Sequence, residues 1–126
     1  MEVLSSRVLL SPVNFERSFR FYAQTLGLHV YREWGSDSTR GVVFFLGGGF
    51  LELFGSSDVS SSEKVRLWLQ VRDVDTVRRE LEDSGVDIVE SPVDNPWGLC
   101  EMRVQDPDGV ELIIVEVPKE HPLRRP

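Results

Sequence analysis

Strand-like alternation along the chain gathers charged and aromatic side chains on one side of each segment, while aliphatic side chains fill the other side. In the amino-terminal half the first group consists of Arg7, Leu9, Ser11, Phe50, Glu52 and Phe54. In the carboxyl-terminal half it consists of Arg66, Trp68, Gln70, Glu101, Arg103, Glu111 and Ile113. Apolar walls with a few orienting polar groups are what a small-molecule pocket requires. The sequence therefore predicts a ligand-binding cavity lined by these residues, with Trp97 at its mouth and Trp34 either in its wall or at a dimer contact.

The residue types also limit the chemistry of that cavity. The two histidines, His29 and His121, fall outside its lining and are predicted to be surface residues, so no Ser-His-Asp or Cys-His arrangement is predicted. The single cysteine, Cys100, lies in the aliphatic alternation and is predicted to be a buried packing residue. One cysteine excludes an internal disulfide and fits a reducing cytoplasm, which is the predicted location.

Charge and hydropathy limit the partners. The net charge of −7 argues against nucleic acid and favours a cationic ligand over an anionic one, although an acidic surface also serves solubility. No apolar run approaches the roughly 18 residues of a membrane span, so no membrane partner is expected. The length of 126 residues is that of one domain.

Two copies of one unit must position the lining residues. The first has strands at 7–11, 28–34, 41–46 and 50–54, with a helix that Asn14 caps and Gly27 ends. The second has strands at 65–71, 86–90, 100–105 and 110–115, with a helix between Asp73 and Gly85. The two caps are 59 residues apart and the two glycines 58. This repeat predicts an α+β fold of paired modules with a shared cleft: module one at about 5–56, module two at about 63–117, a single domain over 1–117, and a flexible tail at 118–126.

Two helix segments, SPVNFERSFRFYAQTLGL and VRDVDTVRRELEDSGV, together with PWG followed by DPDG, resemble the vicinal oxygen chelate superfamily. Its members include glyoxalase I, extradiol dioxygenases, and fosfomycin and bleomycin resistance proteins. The resemblance covers residues 7–117. It implies two tandem βαβββ modules that form a curved, eight-stranded mixed sheet around a central cavity, with the helices outside. It also implies a homodimer, whose modules pair within one chain or are swapped between chains.

Enzymes of this superfamily hold a divalent metal with His, Gln or Glu from the first and last strands of each module. The matching positions here are Arg7, Glu52, Arg66 and Ile113, with Glu111 a substitute for Ile113 if the last strand is shifted. Arginine has no lone pair to donate, and two guanidinium groups repel a cation. No metal or other cofactor is therefore predicted.

Three functions remain open at this stage. The first is a metal-free binding protein similar to the bleomycin resistance branch, which sequesters an aromatic or cationic natural product. The second is a metal-dependent lyase or dioxygenase that uses Glu52 and Glu111, with Gln70 as a further candidate ligand. The third is a metal-free enzyme in which Arg7 and Arg66 stabilise an anion and Glu52 is the catalytic base.

Overall fold

The structure is a computed structural model that describes residues 2–58 and 65–122. The chain divides into two compact units, Met1–Glu63 and Lys64–Pro126. The first contains β1 (Arg7–Leu10), α1 (Phe15–Arg20), a π-helical turn (Phe21–Thr25), β2 (Val30–Trp34), a 3₁₀ turn (Asp37–Thr39), β3 (Gly41–Leu46) and β4 (Gly49–Phe54). The second contains β5 (Arg66–Val71), α2 (Val74–Asp83), β6 (Glu90–Asp94), β7 (Cys100–Gln105) and β8 (Glu111–Glu116).

Each unit has one four-stranded mixed sheet, with the strand orders β1-β4-β3-β2 and β5-β8-β7-β6. In each sheet the pair at one edge is parallel, β1/β4 in the first and β5/β8 in the second, and the remaining pairs are antiparallel. The prediction of two tandem βαβββ modules is confirmed. The eight strands form two separate sheets, and a cavity lined by both stays a prediction.

The first helix begins where its sequence predicts. The Asn14 side chain accepts a hydrogen bond from the Arg17 amide at 3.0 Å, which satisfies one of the amides that a helix start leaves unpaired. The rings of Phe19 and Tyr22 then pack on Phe44 of β3, at centroid distances of 5.8 and 6.2 Å. This contact defines the helix side of the first sheet.

The first helix is one residue longer between its cap and its final glycine than the second. A π-helical turn accommodates the extra residue, with the Leu26 amide bonded to the Phe21 carbonyl five residues earlier. The sequence contains the signal for this turn, because the two capping residues are 59 residues apart and the two final glycines only 58.

The second helix repeats the first at its start: the Asp73 carboxylate accepts from the Thr76 amide at 3.2 Å. It packs on β6, β7 and β8. The helix side of this sheet is aliphatic, and its members are almost fully buried: Leu67, Met102, Val104, Leu112 and Ile114.

The predicted strand at 86–90 is wrong, because the strand there is Glu90–Asp94. Gly85 ends α2 with φ +82°, and the Val86 amide bonds back to the Leu81 carbonyl at 2.9 Å. Val86 therefore completes the helix end. The observed strand contains Pro92, which lacks an amide hydrogen and is tolerated because β6 lies at the sheet edge.

No helix within residues 2–58 and 65–122 is long and apolar enough to cross a membrane. The predicted tail at 118–126 lies partly outside the described residues, since the description ends at residue 122.

Candidate functional site

The face of the first sheet opposite α1, here called the first helix-free face, carries three rows of side chains set by the strand register. The outer rows are rich in aromatic side chains, and the charged groups are Arg7 in one outer row with Glu52 and Arg32 in the middle row. One outer row is Arg7, Phe50 and Phe45; the middle row is Leu9, Glu52, Val43 and Arg32; the other outer row is Phe54, Gly41 and Trp34. The predicted lining residues Arg7, Leu9, Phe50 and Glu52 thus share this face.

The aromatic side chains of this face pack on one another. Tyr31 lies against Phe45 and Phe50, with ring centroids 5.1 Å apart in both pairs. Despite these contacts, Tyr31 is 52% exposed, and Phe45 and Phe54 are each 46% exposed. Trp34 and Phe54 form a second group of rings, on the other side of the middle row. Exposed apolar surface of this kind marks a binding surface more often than chance exposure. We call Tyr31, Trp34, Phe45, Phe50 and Phe54 the aromatic patch.

Trp34 is held across the backbone of Gly41. A Cβ atom built on Gly41 would lie 2.3 Å from Cζ2 of the Trp34 ring, so only glycine allows the ring to lie there. The ring also stacks on Phe54 at 6.2 Å, and the Arg32 guanidinium lies 5.3 Å from its centroid. These contacts fix Trp34 as one end of the aromatic patch.

Arg7 and Glu52 form an ion pair on the same face. Arg7 Nη1 donates to Glu52 Oε1 at 2.8 Å, and the Arg7 guanidinium carbon lies 5.9 Å from the Phe50 ring centroid. The Glu52 side chain is only 17% exposed. A carboxylate so far from solvent needs a charged partner, and Arg7 supplies it.

The corresponding face of the second sheet, the second helix-free face, is built around Arg103. Its guanidinium donates to Glu111 Oε1 at 3.0 Å and lies within ion-pair distance of Glu90 at 3.7 Å and Glu101 at 4.0 Å. The hydrogen bond to Glu111, followed by the charges of the other two carboxylates, raises the pKa of Arg103. The exposed Arg66 lies 3.7 Å from Glu111, so two arginines share that carboxylate.

Trp97 is tied to this network. Its indole Nε1 donates to Glu101 Oε2 at 2.8 Å, and Glu101 is 5% exposed. His121 lies 3.2 Å from the Trp97 carbonyl oxygen through Nε2, and its ring lies against Gly98. His121 therefore contacts the Trp97 turn, which its position in the sequence did not predict.

The remaining predicted residues of this face differ in exposure. Trp68 is 47% exposed, and Gln70 is exposed as well. Ile113 packs on a buried apolar cluster of Leu99, Val115 and Val117. One part of the face is thus a small core, and the solvent-exposed part lies around Trp68.

The strand register resolves which residue of β8 matches Glu52. Leu9 pairs with Glu52 in the first sheet, and Trp68, 59 residues after Leu9, pairs with Ile113 in the second. Glu111 instead pairs with Arg66, as Phe50 pairs with Arg7. Ile113 is therefore the equivalent position, and it offers no metal ligand.

The donor set does not fit a divalent metal. Glu52 is bonded to Arg7, and Glu111 is shared by Arg66 and Arg103, so each candidate carboxylate has a guanidinium as its nearest partner. No group of three or more His, Cys, Asp or Glu side chains in the described part of the chain is arranged to hold a metal ion. Fixed positive charges at these carboxylates would oppose a cation.

Cys100 is half-buried on β7. Burial, followed by the charge of Asp94, raises the pKa of its thiol to about 11. Because the thiolate is the nucleophilic form, this thiol is unreactive near neutral pH.

Charged and aromatic residues of the helix-free faces that the sequence did not predict include Tyr31, Arg32, Phe45 and Glu90. Phe45 lies in the continuous apolar run GVVFFL, in which no polar residue distinguishes one face from the other. Tyr31 and Arg32 lie at an irregularity in the β2/β3 register, where simple alternation fails. Glu90 was placed at the end of the misassigned strand.

The model of the Glyoxalase/Bleomycin resistance protein/Dioxygenase superfamily matches residues 6–114. No curated protein sequence matches the chain.

Solved structures with the same fold include the antibiotic binding protein TnmS3 from Streptomyces sp. CB03234, at a TM-score of 0.75 and 20% identity over 93% of this chain and 98% of that one. They also include a lactoylglutathione lyase from Agrobacterium tumefaciens, at 0.72 and 17% over 92% and 94%. A glyoxalase/bleomycin resistance protein/dioxygenase from Nocardioides matches at 0.75 and 17% over 96% and 87%. At these identities the likeness shows the fold alone.

Proposed function

This chain belongs to the glyoxalase/bleomycin resistance protein/dioxygenase superfamily, and we propose that within it the protein binds a planar aromatic small molecule without a metal. The observation that supports this most strongly is the aromatic patch. Its exposed rings would stack on a flat ligand, and rings of this size contribute much of the binding energy at such surfaces.

Two further features support binding rather than metal-assisted turnover. The candidate metal carboxylates are engaged by arginines, as described above. The fold is also that of TnmS3, which is described as an antibiotic binding protein. Sequestration of an aromatic natural product, as in antibiotic resistance, by a cytoplasmic homodimer is the biological role we propose.

The test is isothermal titration calorimetry with 2-naphthalenemethanol, a neutral planar probe. Removing the exposed ring in Phe45→Ala should weaken binding about 2- to 10-fold, because a ring-ring contact contributes about 0.5–1.5 kcal/mol. Val89→Ala is the matched control, since Val89 is 58% exposed but lies outside both helix-free faces. Equal affinities for the two variants, or no binding to the unmodified protein, would refute the proposal.

A metal-free enzyme is the second candidate, because Arg7 and Glu52 place a cation and a carboxylate 2.8 Å apart beside the aromatic patch. In that case Arg7 would stabilise an anion formed as Glu52 removes a proton, and Arg66 would act similarly on its own sheet. Glu52→Gln separates the two candidates: retained binding with lost turnover of a bound compound favours the enzyme. Turnover that requires added zinc, nickel, manganese or iron(II) would instead favour a metal-dependent enzyme that uses Glu52 and Glu111.

A further inference from the structure

The charges of the first helix-free face are unequal. It carries two guanidinium groups, those of Arg7 and Arg32, and one carboxylate, that of Glu52. Within the described residues, Arg32 has no carboxylate at ion-pair distance, and its guanidinium lies 5.3 Å from the Trp34 centroid. The face around the aromatic patch therefore has a net positive charge.

Arg7 also has hydrogen-bonding capacity left after it binds Glu52. Its single hydrogen bond to a described residue runs from Nη1 to Glu52 Oε1, and a guanidinium has several more N–H donors in the same plane. The Arg7 side chain is 36% exposed, so the remaining donors can be reached from solvent. An acidic group could bind there while the Arg7–Glu52 pair stays intact.

The aromatic rings lie where such a ligand needs them. Arg7 shares a row with Phe50 and Phe45, and its guanidinium lies 5.9 Å from the Phe50 centroid. A ligand ring packed beside Phe50 would therefore have the Arg7 guanidinium near its edge. An acid group on that edge would form a charge-assisted hydrogen bond, which is stronger than a neutral one.

The acidic character of the whole chain does not reverse this local preference. The net charge is −7, but charges at exposed positions are largely screened beyond about 8 Å at physiological ionic strength. The second helix-free face has the opposite net charge, because it carries two guanidinium groups and three carboxylates. These are Arg66 and Arg103, and Glu90, Glu101 and Glu111. A preference for anions therefore belongs to the first face alone.

We infer that the ligand of the aromatic patch is an aromatic acid, a planar ring that bears a carboxylate, phenolate or sulfonate group, with Arg7 as the residue that selects it. The inference rests on the proposed function and specifies its ligand class. It opposes the cationic ligand that the overall charge of the sequence favours.

The experiment uses three probes with one ring system: 2-naphthoate, neutral 2-naphthalenemethanol and cationic 2-naphthylmethylammonium. We expect 2-naphthoate to bind the full chain about tenfold more tightly than the alcohol, with the ammonium weakest. In Arg7→Gln the order should reverse, because Glu52 then lacks its partner and attracts the cation. The control Arg20→Gln removes an exposed guanidinium of α1, outside both helix-free faces, and should keep the original order.

Each outcome has a distinct meaning. If the alcohol and the ammonium bind as tightly as 2-naphthoate, or if Arg20→Gln rather than Arg7→Gln removes the preference, the inference is overturned and the proposed function stands. If no probe binds, both are overturned. In that case sedimentation of Phe45→Asp identifies what occupies the patch instead. Conversion of a dimer into a monomer would show that a second copy of the chain covers it.

Discussion

Replacing Gly41 with alanine tests the geometry of the aromatic patch most directly. The new Cβ would lie 2.3 Å from the Trp34 ring, whereas ordinary van der Waals contact begins at 3.4 Å, so the ring must move by about 1.1 Å. That movement sacrifices the stack on Phe54, which contributes about 0.5–1.5 kcal/mol, and the Arg32 contact, which contributes about 0.5–1 kcal/mol. Alanine returns about 0.5–1 kcal/mol, because it is better than glycine inside a strand.

The two losses sum to about 1–2.5 kcal/mol, so the net loss of unfolding free energy is about 0–2 kcal/mol, with a central value of about 1 kcal/mol. With a urea dependence of about 2 kcal/mol per molar, the central value corresponds to a fall of about 0.5 M in the urea midpoint measured by far-UV circular dichroism. The near-UV spectrum should also change as Trp34 is displaced. Gly48→Ala is the matched control, since its Cβ meets nothing within 4 Å. Equal midpoints and unchanged near-UV spectra for the two variants would refute the placement of Trp34 over Gly41.

Three further predictions concern single groups. Ser18 is 1% exposed, and its hydroxyl has no partner among the described residues, so Ser18→Ala should stabilise the protein by roughly 1 kcal/mol; a lower urea midpoint would contradict this. Cys100, with its pKa raised to about 11, should react slowly with iodoacetamide at pH 7.5, and faster in urea or as the pH approaches 11; native and unfolded rates that agree would contradict it. The Thr76 amide lowers the pKa of Asp73 below 3.8, so the stability it contributes is present above that pH and is lost as the pH falls through the lowered value. As the pH falls below 4, the free energy of unfolding measured by urea titration should therefore decrease less for Asp73→Asn than for the unmodified protein.

The parts of the fold that were predictable from sequence are those set by local chemistry. Asn14 and Asp73 each bond to an amide three residues later, an interaction that the residue type and its neighbours determine. The polar alternation of β5 and β7 likewise placed Arg66, Trp68 and Arg103 on one face of their sheet. These predictions needed no knowledge of distant contacts.

The parts that were not predictable depend on pairing between strands. The pairing of β1 with β4 and of β5 with β8 shows that Ile113 rather than Glu111 matches Glu52, whereas the sequence spacing alone allows either residue. The three-carboxylate environment of Arg103 draws its members from three strands, and Glu90 was outside the expected lining. Apolar runs such as that around Phe45 conceal their exposed side because both faces carry hydrophobic residues.

Pro92 also affects how the protein behaves at high concentration. An edge strand exposes a row of amides and carbonyls that can pair with another chain and seed aggregation. On β6 the proline removes one donor, and the register shift between Glu90 and Val93 breaks the regular spacing of the others. Another chain is therefore less able to pair with the second sheet along β6. The protein thus exposes an apolar surface, the aromatic patch, while this edge of the second sheet opposes the strand pairing that leads to fibrils.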